Sequence, residues 1–346
     1  MNANRKYSAF LINVGSCSDR FCSAYGPPFT VERLFARAGS IDLLSGVDLV
    51  ATDDTLARTG EIKDLLSAHD LKAVSVVPDH FTKPEFKQGA FSSTDARIRA
   101  QAIEATTRAM DFAAEVGCDL VGVWPGQDGY DYAFQADYLT ERDRLADGIR
   151  QACRHNPAIT VAVEYKLKEP RTHNYVNTVG TTALLVQEIA EANCGVVLDV
   201  GHALLAYESP AESVALLHRH GGLLRHIHIN DNYRSWDDDM IVGSVRTHEY
   251  LEFFYWLRRT GYDGWVTIDQ FPYREDGRDA VAESAAWMDA LEGALDATDA
   301  DEIAAVLARK DGVEASRLMR RMLFGDGRGA HGMERTCEPI LASTSR

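Results

Sequence analysis

Eight short apolar runs, rich in β-branched residues, recur along this chain, and each is followed by a stretch with helical periodicity. They are SAFLINV (8–14), VDLVAT (47–52), LKAVSVV (71–77), LVGVW (120–124), ITVAVEY (159–165), GVVLDV (195–200), LRHIHI (224–229) and WVTID (265–269). Strands joined by helical crossovers pair in parallel, and eight such units suffice to close a barrel. An open doubly wound sheet is the alternative, but no glycine-rich phosphate loop follows the first run.

The segment DARIRAQAIEATTRAMDFAAEVG reads as a helix with a serine or threonine cap ahead of it, and TTALLVQEIAEAN as one ending near a glycine. From about residue 284 the pattern turns purely helical (ADEIAAVLARK, EASRLMRRMLF), and beyond GDGRGAHG the composition suggests a disordered or loosely docked tail. The expected fold is an α/β chain: a (β/α)₈ TIM barrel over 1–285, then a C-terminal helical extension and flexible tail over 286–346. Helical extensions on barrels often pack on a partner subunit, so a homodimer or homotetramer is expected.

Charge and cysteine usage narrow the function class. A formal charge of −16 disfavours nonspecific contact with nucleic acid or acidic membranes and suits carboxylate clusters that hold cations. The apolar runs are too short to span a bilayer and no charged-then-apolar leader precedes the first, so a cytoplasmic location is expected. The six cysteines form no CxxC pair and are expected to be free thiols.

In a barrel the site lies at the C-terminal ends of the strands, and here the polar residues gather on the later ones. EYK places Glu164 and Lys166 on one side of its strand, because strand side chains alternate. LDVGH brings Asp199 and, one turn on, His202. In HIHIND the residues His226, His228 and Asn230 share a face, DDDM follows with Asp237 and Asp239 flanking Asp238, and TID ends in Asp269. Crowded carboxylates repel unless a cation neutralises them, and oxygen-rich sites with a few imidazoles suit magnesium, manganese or cobalt. Phe81 and Trp124, after earlier strands, would supply an apolar wall against the carbon face of a sugar.

These motifs resemble the xylose isomerases and the wider group of xylose-isomerase-like barrels, which includes rhamnose isomerases and ketose epimerases. EYKLKEPRTH (164–173) is similar to the group's segment in which a metal-binding glutamate precedes the lysine that assists hydride transfer. The resemblance implies two divalent cations held by Glu164, Asp199, His202, His228, Asp237, Asp239 and Asp269, with Lys166 and Glu164 as catalytic residues. It implies Phe81, in HFTKPEFKQGAFSSTDARIR, and Trp124, in VWPGQDG, as substrate contacts, and Asn230 as a support of the strand end or a sugar contact. Asp199 and His228 stand where the xylose isomerases have glutamate and aspartate, a combination closer to the rhamnose-isomerase branch. The histidine that helps open the sugar ring is replaced by Thr52; either His80 takes that part or the substrate arrives open.

The implied activity is aldose–ketose isomerisation of a monosaccharide by hydride shift. A ketose 3-epimerase is the alternative, working by proton transfer with one metal and with Glu164 and Asp269 as the acid–base pair. A barrel acting on abasic DNA would need a basic face, which the net charge opposes. Lone histidines are more often packed or hydrogen-bonded than ligating, the reading given to His69, His155, His218, His220 and His248. His226 stays open between a support of a ligand and a packed residue.

Overall fold

The computed structural model describes residues 5–19 and 21–325. The chain divides after Glu292 into two compact units. The first contains a closed barrel of parallel strands: β1 (Lys6–Phe10), β2 (Leu44–Ala51), β3 (Lys72–Pro78), β4 (Leu120–Val123), β5 (Thr160–Glu164), β6 (Cys194–Asp199), β7 (Leu224–Ile229) and β8 (Trp265–Ile268). Each strand pairs with its sequence neighbour, and β1 closes the ring on β8 through Tyr7 opposite Val266 and Ala9 opposite Ile268. Each of the eight apolar runs of the sequence overlaps a barrel strand. The first run overshoots, because Leu11–Val14 leaves the sheet as a 3₁₀ turn and the Asn13 amide donates to the carbonyl of Gln270.

Helices between the strands start where short polar side chains accept backbone N–H groups. Asp95, the first residue of the segment expected to follow a serine or threonine cap, itself caps the helix Ala96–Val116 by accepting from Arg97 N. A carboxylate does the same work at a helix start and also complements the dipole. That helix buries Ala109, Met110, Phe112 and Ala113 and stops at Gly117, whose φ of 78° favours glycine. Thr178 and Thr181 cap the helix Val179–Ile189 reciprocally. It ends at Ala190, itself in the left-handed region, instead of near a glycine.

Loops after β4 and β5 build a small antiparallel sheet beside the C-terminal ends of those strands. Gly129–Tyr130 pairs with Thr172–Asn174, which pairs with Lys168–Glu169. Gly129 is required there, because a Cβ would run into the backbone carbonyl of His173. The second unit begins within the helix Gly277–Asp296 and continues as Ala300–Arg309 and Gly312–Phe324, capped by Asp299 and Asp311. The tail after residue 325, expected to be disordered or loosely docked, lies outside the described residues. Among the described residues no helix is long and apolar enough to cross a membrane, and the described cysteines are free.

Candidate metal centre and active site

Four consecutive strands deliver their terminal polar groups to one point. Glu164 ends β5, Asp199 ends β6, His228 lies near the end of β7 and Asp269 follows β8. One ligand atom from each of these four lies within 4.8 Å of the others. His228 Nδ1 is 3.2 Å from Glu164 Oε2 and 3.7 Å from Asp269 Oδ2. Asp199 caps the short helix Val200–Leu205 by accepting from His202 N at 2.8 Å, and that first turn carries the His202 ring back over the group. His202 Nδ1 is then 3.2 Å from Glu164 Oε1, and its Nε2 is 3.1 Å from Asp237 Oδ2.

Asp237 also faces Lys166 Nζ, at 2.9 Å, and Lys166 pairs in addition with Glu169 of the small sheet. Asp239 lines the same cavity with a left-handed backbone (φ 49°), a strained conformation for a residue with a side chain. The loop that holds it is pinned by the reciprocal backbone bonds of Asp231 and Met240 and by Phe271 N donating to the Asp239 carbonyl at 3.1 Å.

The charge balance of the cluster fits a divalent cation. Burial would push His202 toward the neutral form, but Asp199 and Asp237 outweigh it and hold the imidazole far above its ordinary range. His228 is raised in the same way, with Glu164 the main opponent of burial. Asp269 is pushed up to about 8 by burial and by Asp199 and Glu164. Protons thus occupy the place where positive charge is wanted. His202 Nδ1, both ring nitrogens of His228 and Asp237 Oδ1 are buried without a hydrogen-bond partner, an unusual concentration of unmet polar atoms. Oxygen and imidazole donors without thiolate match magnesium, manganese or cobalt.

A cavity of about 280 Å³ opens over the cluster. Phe81 and Trp124 form one wall with ring centroids 5.2 Å apart, and Lys166 Nζ lies 5.3 Å over the Trp124 ring. Burial disfavours the charged Lys166, but Asp237 and Glu169 overcome it and raise its pKa well above normal, so it remains an ammonium.

Residues 39–291 match the family model described as a xylose isomerase-like TIM barrel. The chain belongs to that family. A curated xylose isomerase from Thermus thermophilus is 28 % identical over 229 residues, covering 63 % of this chain and 58 % of the relative. The chain spans between 42 % and 58 % of the length of the curated xylose isomerases it matches. Among solved structures, a 3-keto-D-glucoside 4-epimerase from E. coli superposes with a TM-score of 0.64 at 18 % identity, over 82 % of this chain and 99 % of that one. A D-allulose 3-epimerase from Methylomonas sp. gives 0.65 at 17 %, over 82 % and 96 %. At these identities the superpositions speak for the fold.

Within this family barrel, most residues singled out from the sequence meet at one place: Glu164, Lys166, His202, Asp237, Asp239, Asp269, Phe81 and Trp124 all line the cavity. Asp199 and His228 lie just beneath it. His80 does not belong to it. Its Nε2 lies 3.0 Å from the Ala102 carbonyl and 3.2 Å from Thr106 Oγ1, its ring packs edge-on against Phe86 and Phe91, and burial lowers its pKa to about 4. Of the two expectations, ring opening by His80 or a substrate that arrives open, this placement disagrees with the first. Asn230, expected either to support the strand end or to touch the sugar, is wholly buried and donates to the Asp199 carboxylate at 3.3 and 3.4 Å, which is the first of the two. Thr52 instead caps a short helix after β2.

Other cavity residues had no signal in the sequence. Phe10 and Ile12 look like ordinary core, Phe271 and Tyr273 follow the last strand in a loop, and Glu169 reaches the cavity only through the small sheet. Asp48 was also missed; a carboxylate in the middle of an apolar strand run was its available signal.

Proposed function

We propose that the chain is a sugar isomerase that interconverts an aldose and a ketose and depends on two divalent cations, manganese, magnesium or cobalt. Glu164, Asp199, His228 and Asp269 would hold one cation, and His202, Asp237 and Asp239 would hold the second. The chemistry such cations would supply is polarisation of the substrate carbonyl and easier ionisation of the neighbouring hydroxyl. Lys166, kept as an ammonium over Trp124, donates to the carbonyl oxygen as a hydride passes from C2 to C1 and the O2 proton ends on O1. Phe81 and Trp124 cover the apolar face of the sugar and exclude water from the reacting carbons.

The observation that carries this reading is the position of Lys166, an ammonium 2.9 Å from Asp237 and within the same cavity as Asp269 and Glu164. Such a group stabilises a developing alkoxide and has no part in removing a proton from carbon. A ketose 3-epimerase is the second reading. Glu164 and Asp269 line the cavity together, Asp269 is raised to about 8, and epimerases are among the solved structures with this fold. Both readings agree on a sugar substrate and on divalent-cation dependence, and differ in whether two cations or one take part.

Turnover in D₂O over a panel of aldoses and ketoses separates them. A hydride shift leaves the migrating position protiated, whereas proton transfer through a carboxylate incorporates deuterium. An aldose–ketose product without deuterium, with two cations bound per chain, supports the isomerase. Inversion at C3 with deuterium, or a single cation, gives the epimerase precedence.

A further inference from the structure

Beneath the candidate cation group lies a second polar cluster that takes no part in the proposed chemistry. Asp48, between Val47 and Leu49 in β2, is wholly buried. A buried carboxylate is costly unless donors surround it. Ser75 Oγ donates to its Oδ2 at 2.6 Å, Thr267 Oγ1 donates to its Oδ1 at 2.9 Å, and His226 Nε2 is 3.0 Å from Oδ2. Ser8 Oγ in turn lies 2.6 Å from Thr267 Oγ1.

One further group faces Asp48: His228 Nε2, 3.5 Å from Oδ2. The His228 ring therefore stands between two sets of carboxylates. Its Nδ1 faces Glu164 and Asp269, and its Nε2 faces Asp48. The ring is wholly buried and neither nitrogen makes a hydrogen bond, so both must be satisfied from inside the site. A cation on the ring would displace one of its protons, and the neutral imidazole that remains carries one N–H. On Nε2 that proton meets Asp48 and leaves the Nδ1 lone pair free; on Nδ1 it would block the lone pair.

We propose that Asp48 is a positioning residue: it holds His228 as the Nε2–H tautomer, with Nδ1 aimed at the cation position. This rests on the cation-dependent reading of the site. A cation bound by Asp48, His226 and His228 themselves is the less apt use of the cluster. Their ligand atoms do lie within 4.8 Å of one another, yet both Asp48 oxygens already accept from Ser75, Thr267 and His226. The role also accounts for His226, which clamps Asp48 from the side while its ring packs edge-on against His228, centroids 5.0 Å apart.

The test is cobalt(II) affinity, by competition with a chromophoric chelator, together with the visible absorption of the bound cobalt and the melting temperature of the cation-free chain. In Asp48→Asn the expected loss of affinity is about 10- to 100-fold, the usual effect of removing such a partner, with an altered cobalt spectrum. Thr267→Val, which removes one Asp48 donor and leaves the charge, covers the case in which the first variant does not fold. It should weaken cobalt by about fivefold, roughly the worth of one hydrogen bond. A lower melting temperature with unchanged affinity and spectrum in the folded variants would make Asp48 merely structural and overturn the proposal. Wild-type protein that takes up no cobalt would overturn the cation-dependent reading and this inference together.

Discussion

Acidifying the protein should loosen its grip on divalent cations steeply, and the size of the effect follows from the protons that the cation-free cluster holds. Asp269 is raised to about 8, so a cation that needs its carboxylate must displace a proton at any lower pH. For one such proton, going from about pH 8 to about pH 6 multiplies the dissociation constant by about 50, close to 2.3 kcal/mol at 1.36 kcal/mol per pH unit. His228 and His202, both held well above the ordinary imidazole range, add to the slope wherever they too are protonated. Titration calorimetry with manganese at three pH values, in buffers of different ionisation enthalpy, measures affinity and proton release together. The expected result is one to three protons released per chain saturated at neutral pH. A dissociation constant that moves less than about threefold across that range, with no proton release, would refute a cluster that holds protons in place of the cation.

Without cations the same groups set a pH dependence of opposite consequence. Asp269, His202 and His228 are raised in the folded state, so the stability they lend is complete at low pH and is lost as pH rises toward their folded values; the cation-free melting temperature should fall between about pH 5 and about pH 8. One fixed manganese concentration, set at about 100 times the dissociation constant at about pH 8, should restore about 2.7 kcal/mol there and less at lower pH, where binding is weaker, seen as a rise in melting temperature that is larger at the alkaline end. Lys166→Met should cut turnover by about 10²- to 10³-fold in steady-state kinetics while cobalt affinity holds or improves, since Asp237 loses its competing ammonium. If the proposed two cations bind, Asp237→Ala should reduce them to one by elemental analysis, because His202 then keeps Glu164 and Asp199 as its charged neighbours.

The barrel was legible because parallel strands covered on both sides read as unbroken apolar runs, and the later strands announced the site because their ends interrupt those runs with carboxylates and imidazoles. The sequence misled where direction mattered more than residue type. His80 and Phe81 are adjacent, and successive side chains near a strand end tend to opposite sides. Phe81 lines the cavity, and His80 accordingly packs against the helix Ala96–Val116. Alternation would have excluded one of the two at the outset. Asn230 shows the limit of that rule: it has the parity of His226 and His228, yet the Asp199 carboxylate on the next strand captures its amide before any substrate can.

Asp48 marks what no local pattern reveals. Its partners Ser75, His226 and Thr267 stand 27, 178 and 219 residues away in sequence, and only closure of the barrel brings their strands around one carboxylate. Glu169 is hidden for a different reason, since strands of two or three residues carry no periodicity and the small sheet that presents it depends on a glycine lying against the His173 carbonyl. Both residues act through charge on groups the sequence did identify, Glu169 on Lys166 and Asp48 on His228. Residue type therefore locates the centre of such a site, while the groups that tune it are found by asking which buried charge each central residue must face.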